Sequence, residues 1–63
     1  QIVNMIQELS EDLRTPFLLR VVNELPYQEI AEILNLPLQT VKNRIFKARG
    51  VLREKRETYE EMS

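Results

Sequence analysis

Pro26, Asn35 and Pro37 interrupt the middle of this chain at short intervals, and these breaks limit the fold more than any other feature of the sequence. Pro26 pushes the residue before it out of the helical region, so the chain must break near residues 23–26. Asn35 belongs to the few residue types besides glycine that accept a positive φ, which suits the end of a helix. Pro37 then leads into the last segment. A chain interrupted at such short intervals is expected to form short helices joined by tight turns.

Apolar residues recur at helical spacing between these breaks, and no segment shows the signals of a strand. The sequence therefore predicts a small all-α domain of four helices. The expected helices cover residues 1–9, 11–24, 27–34 and 38–53, followed by a polar tail over residues 54–63.

The second and third predicted helices carry more detailed expectations. Ser10 is a suitable N-cap for the second helix. Pro16 is compatible with that helix only if the helix kinks there or if Thr15 caps a later start at Pro16. In the third helix we expect three apolar residues to face the core, namely Ile30, Ile33 and Leu34.

Histidine and cysteine are both absent from the 63 residues. Without them the chain cannot form disulfides or ordinary zinc sites, and it lacks the commonest general base and the thiol nucleophile. We therefore expect neither a metal nor a cofactor, and no enzymatic activity. No apolar run approaches the roughly 20 residues of a membrane span, and no signal peptide precedes the first charges. The chain begins at Gln1, without Met and inside an apolar pattern, so we expect it to be a fragment of a larger protein.

The net charge is only −1, but the charges are unevenly distributed along the chain. Residues 33–53 contain five Lys or Arg and no acidic residue, whereas acidic residues outnumber basic ones on either side. Such a basic block is expected of an element that binds a polyanion. A solvated helix face whose bases pair with the neighbouring acidic segments explains the charge equally well.

The two predicted helices over 27–34 and 38–53, joined by a tight turn, have the layout of a helix-turn-helix. Ala31 is small enough to let the next helix cross closely, and Asn35 makes the bend four residues later. Any small helical bundle contains some tight hairpin of this kind. The spacing of Ala31, Asn35 and Val41 nevertheless favours the DNA-binding version.

The last predicted helix separates its residues into two faces. The inward face is apolar and consists of Leu38, Val41, Ile45, Ala48 and Leu52. The opposite face carries amides, bases and one aromatic ring: Gln39, Lys42, Asn43, Phe46 and Lys47. Such side chains suit the major groove of DNA, where Lys contacts guanine, amides contact adenine and an apolar ring meets a thymine methyl group.

Two residues of this helix allow more than one interpretation. Phe46 either projects toward DNA or is a ring that packs in the core or against the tail. Gly50 costs about 1 kcal/mol relative to Ala inside a helix. It therefore either ends the helix early or lets the backbone approach DNA.

The predicted helix-turn-helix contains the patterns Tyr27-x-Glu29-Ile30-Ala31 and Pro37-x-x-Thr40-Val41-Lys42-x-Arg44. With these patterns, residues 5–54 resemble the C-terminal domain of bacterial RNA polymerase sigma factors, most closely those of the extracytoplasmic-function group. Two positions depart from the family. Pro26 stands where relatives usually have a Ser that caps the helix and touches phosphate, and Asn35 replaces the commoner Gly.

The resemblance implies a cytoplasmic protein that binds the minus-35 element of double-stranded promoter DNA while its sigma factor is attached to core RNA polymerase. The residues it implies in DNA binding are Gln39, Thr40, Lys42, Asn43, Arg44, Phe46 and Lys47. Among these, the resemblance implies that Gln39, Thr40 and Arg44 are phosphate contacts or supports.

The family also docks the first half of this domain on the flap of the polymerase β-subunit, and often hides the domain in an anti-sigma factor. The apolar candidates for binding these partners are Leu13, Phe17, Leu18 and Val21, which suit the internal core at least as well.

Two other functions are open alternatives. The chain could be a protein-interaction module whose basic face meets an acidic partner and binds no DNA. It could also be a response-regulator output domain, which would dimerise through its last helix. The polar residues 53–63 offer little surface for such a dimer.

Overall fold

The computed structural model describes the backbone of residues 6–62 and the side chains of residues 6–55. Within this part the regular structure is helical and consists of α1 (Glu11–Val21), α2 (Tyr27–Leu34) and α3 (Leu38–Met62). The all-α class agrees with the prediction, but the count of four helices is not confirmed. The predicted first helix over 1–9 lies mostly outside the described residues, and Ile6 and Gln7 are the two helical residues described there.

Helix α1 begins directly after Ser10, whose backbone is extended with φ −61° and ψ 154°. The Ser10 carbonyl accepts hydrogen bonds from the backbone N–H groups of Leu13 (3.1 Å) and Arg14 (2.9 Å). The Ser10 hydroxyl makes no capping hydrogen bond, so Ser10 occupies the predicted position without the predicted side-chain role. The helix runs through the buried Pro16 as one element, and the alternative start at Pro16 is wrong.

Helix α1 ends at Val21, three residues before the predicted end. The backbone turns away because Glu24 adopts a left-handed conformation with φ 55°. The turn is closed by a hydrogen bond from the backbone N–H of Leu25 to the carbonyl of Leu19 (3.2 Å). The side chain of Arg20 reinforces it by donating from Nη1 to the Leu25 carbonyl at 3.0 Å.

Helix α2 has the predicted bounds and ends as expected at Asn35, which has φ 56° and ψ 48°. The backbone N–H of Asn35 bonds to the carbonyl of Glu32 (3.3 Å), and that of Leu36 bonds to the carbonyl of Ala31 (3.0 Å). These bonds satisfy carbonyls that a helix end otherwise leaves unpaired.

The inward position predicted for Ile33 is wrong, because its side chain is 56 % exposed. The core side of α2 is formed by Ile30 and Ala31, which are buried, with Leu34 packed against them. At roughly 100° per residue, Ile33 lies about a sixth of a turn beyond Ile30, at the edge of that side.

Helix α3 continues through Gly50 and ends at Met62, beyond its predicted end at residue 53. The segment predicted as a polar tail therefore extends the helix. One buried cluster joins α3 to α2 and contains Ile30, Ala31, Val41 and Ile45. A second joins α3 to α1 and to the segment before it, and contains Leu9, Phe17 and Ala48. Leu52 packs against this second cluster, and Leu38 packs against the first.

Helix α3 is also tied to the segment before α1 through Lys55. Lys55 Nζ lies 2.9 Å from Glu8 Oε2, and both side chains are partly exposed. In the described part of the chain, no helix has the length and apolar character needed to cross a lipid bilayer.

Candidate nucleic-acid interface

Helix α3 presents a polar face to solvent directly opposite its buried stripe. The stripe residues Val41, Ile45 and Ala48 are at most 1 % exposed, whereas Phe46 is 78 % exposed. We call the solvent side the outer face of α3, and it consists of Gln39, Lys42, Asn43, Phe46 and Lys47, all exposed. The predicted division of the helix is confirmed, and the alternative that Phe46 is a core ring is wrong.

The bases of the outer face are free to meet an external anion. Among the side chains that the structure describes, the ion pair found joins Lys55 to Glu8, and neither Lys42 nor Lys47 takes part in one. The alternative in which these two bases are neutralised by the neighbouring acidic segments therefore does not hold. An unpaired basic face of this kind is the electrostatic footprint of a nucleic-acid-binding element.

Thr40 and Arg44 lie at the margin of the outer face and are half-buried. Arg44 lines a cleft of about 270 Å³ between α3 and the start of α1, together with Asn43 and Lys47 from α3 and Ser10, Asp12 and Leu13 from the other side. The Arg44 side chain is therefore only partly accessible to solvent, at the edge of the outer face.

One contact within the outer face was not predicted. Gln39 Nε2 donates a hydrogen bond of 2.9 Å to Asn43 Oδ1. The two amides are four residues apart on one helix, a spacing that allows such pairs to form. The spacing of four residues was therefore the available signal in the sequence for this pair.

The four apolar residues predicted to bind a partner are not brought together on one surface. Phe17 is only 7 % exposed and forms part of the second core cluster, and Leu13 packs against the same cluster. Leu18 is half-buried, whereas Val21 at the end of α1 is 50 % exposed. The core alternative therefore accounts for Phe17 and Leu13.

Two further exposed apolar residues were missed from the sequence. Val22 is 69 % exposed just after α1, and Ile33 is 56 % exposed on α2. Val22 lies beyond the early end of α1, and Ile33 lies off the core side of α2. Both positions depend on tertiary structure that periodicity alone does not supply.

Comparison with known proteins adds an independent line of evidence. The family model described as "Sigma-70, region 4" matches residues 1–52. The chain is 43 % identical over 54 residues to the ECF RNA polymerase sigma-E factor of Haemophilus influenzae, covering 86 % of this chain and 29 % of that protein. It is 50 % identical over 47 residues to the RNA polymerase sigma-H factor of Pseudomonas aeruginosa, covering 75 % of this chain and 24 % of that protein. A further relative is the ECF RNA polymerase sigma-E factor of Escherichia coli K12, 46 % identical over 50 residues, with 79 % of this chain and 26 % of the relative covered. The chain thus spans less than a third of the length of these relatives.

Proposed function

This chain belongs to the sigma-70 region 4 family, as the C-terminal domain of an extracytoplasmic-function sigma factor, and we propose that it binds the minus-35 element of promoter DNA during transcription initiation. The observation that carries the proposal is the outer face of α3. Two unpaired lysines and an aromatic ring stand exposed on a helix whose opposite side is buried.

The geometry suits insertion of α3 into the major groove. In a helix-turn-helix the second helix enters the groove and contacts base edges, while the first crosses the DNA backbone. Here α3 is the second helix and α2 the first. Lys42 and Lys47 would donate to guanine, and the Phe46 ring would meet a thymine methyl group. Thr40 and Arg44, at the margin, would contact phosphates or support the face.

Core RNA polymerase is the proposed protein partner, since all three relatives described above are named as RNA polymerase sigma factors. We place its β-subunit flap on the exposed apolar residues at the end of α1, Val21 and Val22, with Leu18 beside them. An anti-sigma factor would compete for the same apolar surface. The proposed place of action is the cytoplasm.

The proposal is tested by replacing Lys42 and Lys47 with Ala in the full-length sigma factor. Each replacement should cost about 1–3 kcal/mol of promoter-binding free energy if the lysine contacts a base. Affinity of the unaltered protein should fall steeply with salt, because phosphate contacts release counterions. Binding is measured on duplex promoter DNA with the sigma factor assembled on RNA polymerase.

The matched control is Lys55→Ala, which removes the same charge from the same helix at a lysine that pairs with Glu8. This control should bind promoter DNA like the unaltered protein. The variant that carries both Lys42→Ala and Lys47→Ala should lose promoter binding but still assemble with the polymerase. If it instead keeps its promoter affinity, the interaction-module alternative is favoured and the proposal fails.

A further inference from the structure

The hydrogen bond between Gln39 and Asn43 restricts what Asn43 can offer to a ligand. A side-chain amide carries an acceptor oxygen and an NH₂ group with two donors. In the structure the Asn43 oxygen accepts from Gln39 Nε2 at 2.9 Å. Among the described residues, the Nδ2 donors of Asn43 bond to no other side chain. Asn43 therefore offers solvent both Nδ2 donors but only one of the two lone pairs of its oxygen.

The consequence for base recognition follows from the edges of the bases in the major groove. Asn recognises adenine with both ends of its amide, by donating to N7 and accepting from the N6 amino group. Guanine presents two acceptors, N7 and O6, and needs donors only. Gln39 takes one of the two lone pairs of the Asn43 oxygen, which makes that oxygen a weaker acceptor for the adenine amino group. The same bond polarises the Asn43 amide and strengthens its Nδ2 donors, which are the groups that guanine needs.

We propose that Gln39 is a positioning residue that acts through Asn43 and biases it toward guanine over adenine at one base pair of the DNA site. This inference rests on the proposed function, because it requires the outer face of α3 to enter the major groove. It differs from the expectation drawn from side-chain type alone, under which each amide would favour adenine.

The test compares base preferences of the full-length sigma factor with RNA polymerase, using duplex DNA randomised across the minus-35 element. Asn43→Ala identifies the base pair that Asn43 contacts, because preference is lost there. Gln39→Ala should lower the ratio of guanine to adenine at that same pair by about two-fold, the magnitude of an exposed i, i+4 amide pair. In a double variant, Gln39→Ala should add nothing to Asn43→Ala.

A second variant tests the direction of the hydrogen bond. In Gln39→Glu the carboxylate cannot donate and instead accepts from Asn43 Nδ2, which frees the Asn43 oxygen. The preference should then move toward adenine at the same pair, whatever the general loss of affinity caused by the added charge. The control is Gln7→Ala, an exposed glutamine outside the helix-turn-helix, and it should leave all preferences unchanged.

The outcomes separate this inference from the proposed function. If the unaltered protein selects a motif that depends on Lys42 and Lys47, but the Gln39 variants change no preference, only the inference is overturned. The inference alone is also overturned if the Gln39 variants change the preference at a base pair that Asn43 does not contact. A shift of the preference toward guanine would overturn it as well. If the unaltered protein selects no motif at all, the proposed function and the inference both fail.

Discussion

Among the residues that the structure describes, two that are not glycine adopt left-handed backbone conformations, and together they bracket α2. Asn35 follows the helix with φ 56°, and Glu24 precedes it with φ 55°. This conformation costs roughly 1–2 kcal/mol for most L-residues but less for Asn, whose short polar side chain tolerates it. The strain at Glu24 is held by its neighbours, since Arg20 bonds to the Leu25 carbonyl and stacks over the Tyr27 ring at 5.0 Å.

Replacing Glu24 with glycine should therefore stabilise the domain. Glycine adopts positive φ without steric cost, although it loses more chain entropy on folding, so the net gain is about 0.5–1 kcal/mol. The measurement is the free energy of unfolding in urea. Asn35→Gly is the matched control and should change stability by only a few tenths of a kcal/mol. A loss of stability in Glu24→Gly would show that its side chain matters more than its backbone.

At this scale the sequence was informative where residue type determines the conformation, and uninformative where neighbours impose it. The left-handed backbone of Asn35 was predicted because asparagine tolerates a positive φ. The left-handed backbone of Glu24 was not predicted, because glutamate has no intrinsic preference for it. The hydrogen bonds that close the turn around Glu24 are made by its neighbours Arg20 and Leu25. The angle of Phe46 on the helix indicated an exposed ring but left a core position open. The pairing of Gln39 with Asn43 depends on side-chain torsions, which the sequence does not define.

Among the helices, α3 is notable for running through a glycine without ending. Gly50 lies in the interior of a 25-residue helix. A Cβ built at this position would have nothing within 4 Å beyond the local helix backbone. The cost of the glycine, about 1 kcal/mol, is outweighed because the helix continues for 12 further residues and packs Val51 and Leu52 on the second cluster.

We expect Gly50→Ala to stabilise the domain by about 0.5–1 kcal/mol, since the methyl group meets no neighbour and the helix loses its weakest residue. Chemical denaturation measures this change directly. Leu52→Ala, a truncation elsewhere on the same helix, should lower stability instead. If Gly50→Ala is destabilising, the helix is interrupted at Gly50 in solution.

The bounds of the helices could be predicted only where a residue such as proline or asparagine marks the start or the end of a helix. Helix α2 lies between Pro26 and Asn35, and both of its ends were predicted correctly. The end of α1 was not, since Glu24 carries no recognisable stop signal. The sequence did not determine where α3 ends, because Gly50 disfavours a helix and the charged tail gives no clear stop signal. The contacts of Val51 and Leu52 with the second cluster involve residues distant in sequence, which local propensity does not include.

For the molecule as a whole, α3 is the element that both buried clusters share. Its first turns pack on α2 through Val41 and Ile45, and its middle packs on α1 through Ala48. The close approach to α2 was predicted from the small Ala31, which is 5 % exposed. The packing on α1 was not, because periodicity defines which face of a helix is buried but not which helix covers it.

Because neighbouring residues of α3 lie on opposite faces, stability and the proposed DNA binding can be tested separately at adjacent positions. Ile45 is 1 % exposed and Phe46 is 78 % exposed. Ile45→Val removes one buried methylene-sized group and should cost about 0.5–1.5 kcal/mol of unfolding free energy. Phe46→Ala changes a surface residue and should alter stability by no more than about 0.5 kcal/mol. Urea unfolding of the two variants gives both values.

For promoter affinity we expect the larger effect from Phe46→Ala and the smaller from Ile45→Val. Phe46→Ala should weaken binding by about 1 kcal/mol, the transfer free energy of roughly 40 Å² of apolar ring surface. Ile45→Val should leave affinity unchanged under conditions where the variant is folded, because the outer face of α3 keeps its side chains and its backbone. Both affinities are measured with the full-length sigma factor on polymerase. A variant pair in which Phe46→Ala destabilises the fold while promoter affinity depends on Ile45 would mean that the two faces of α3 are exchanged in solution.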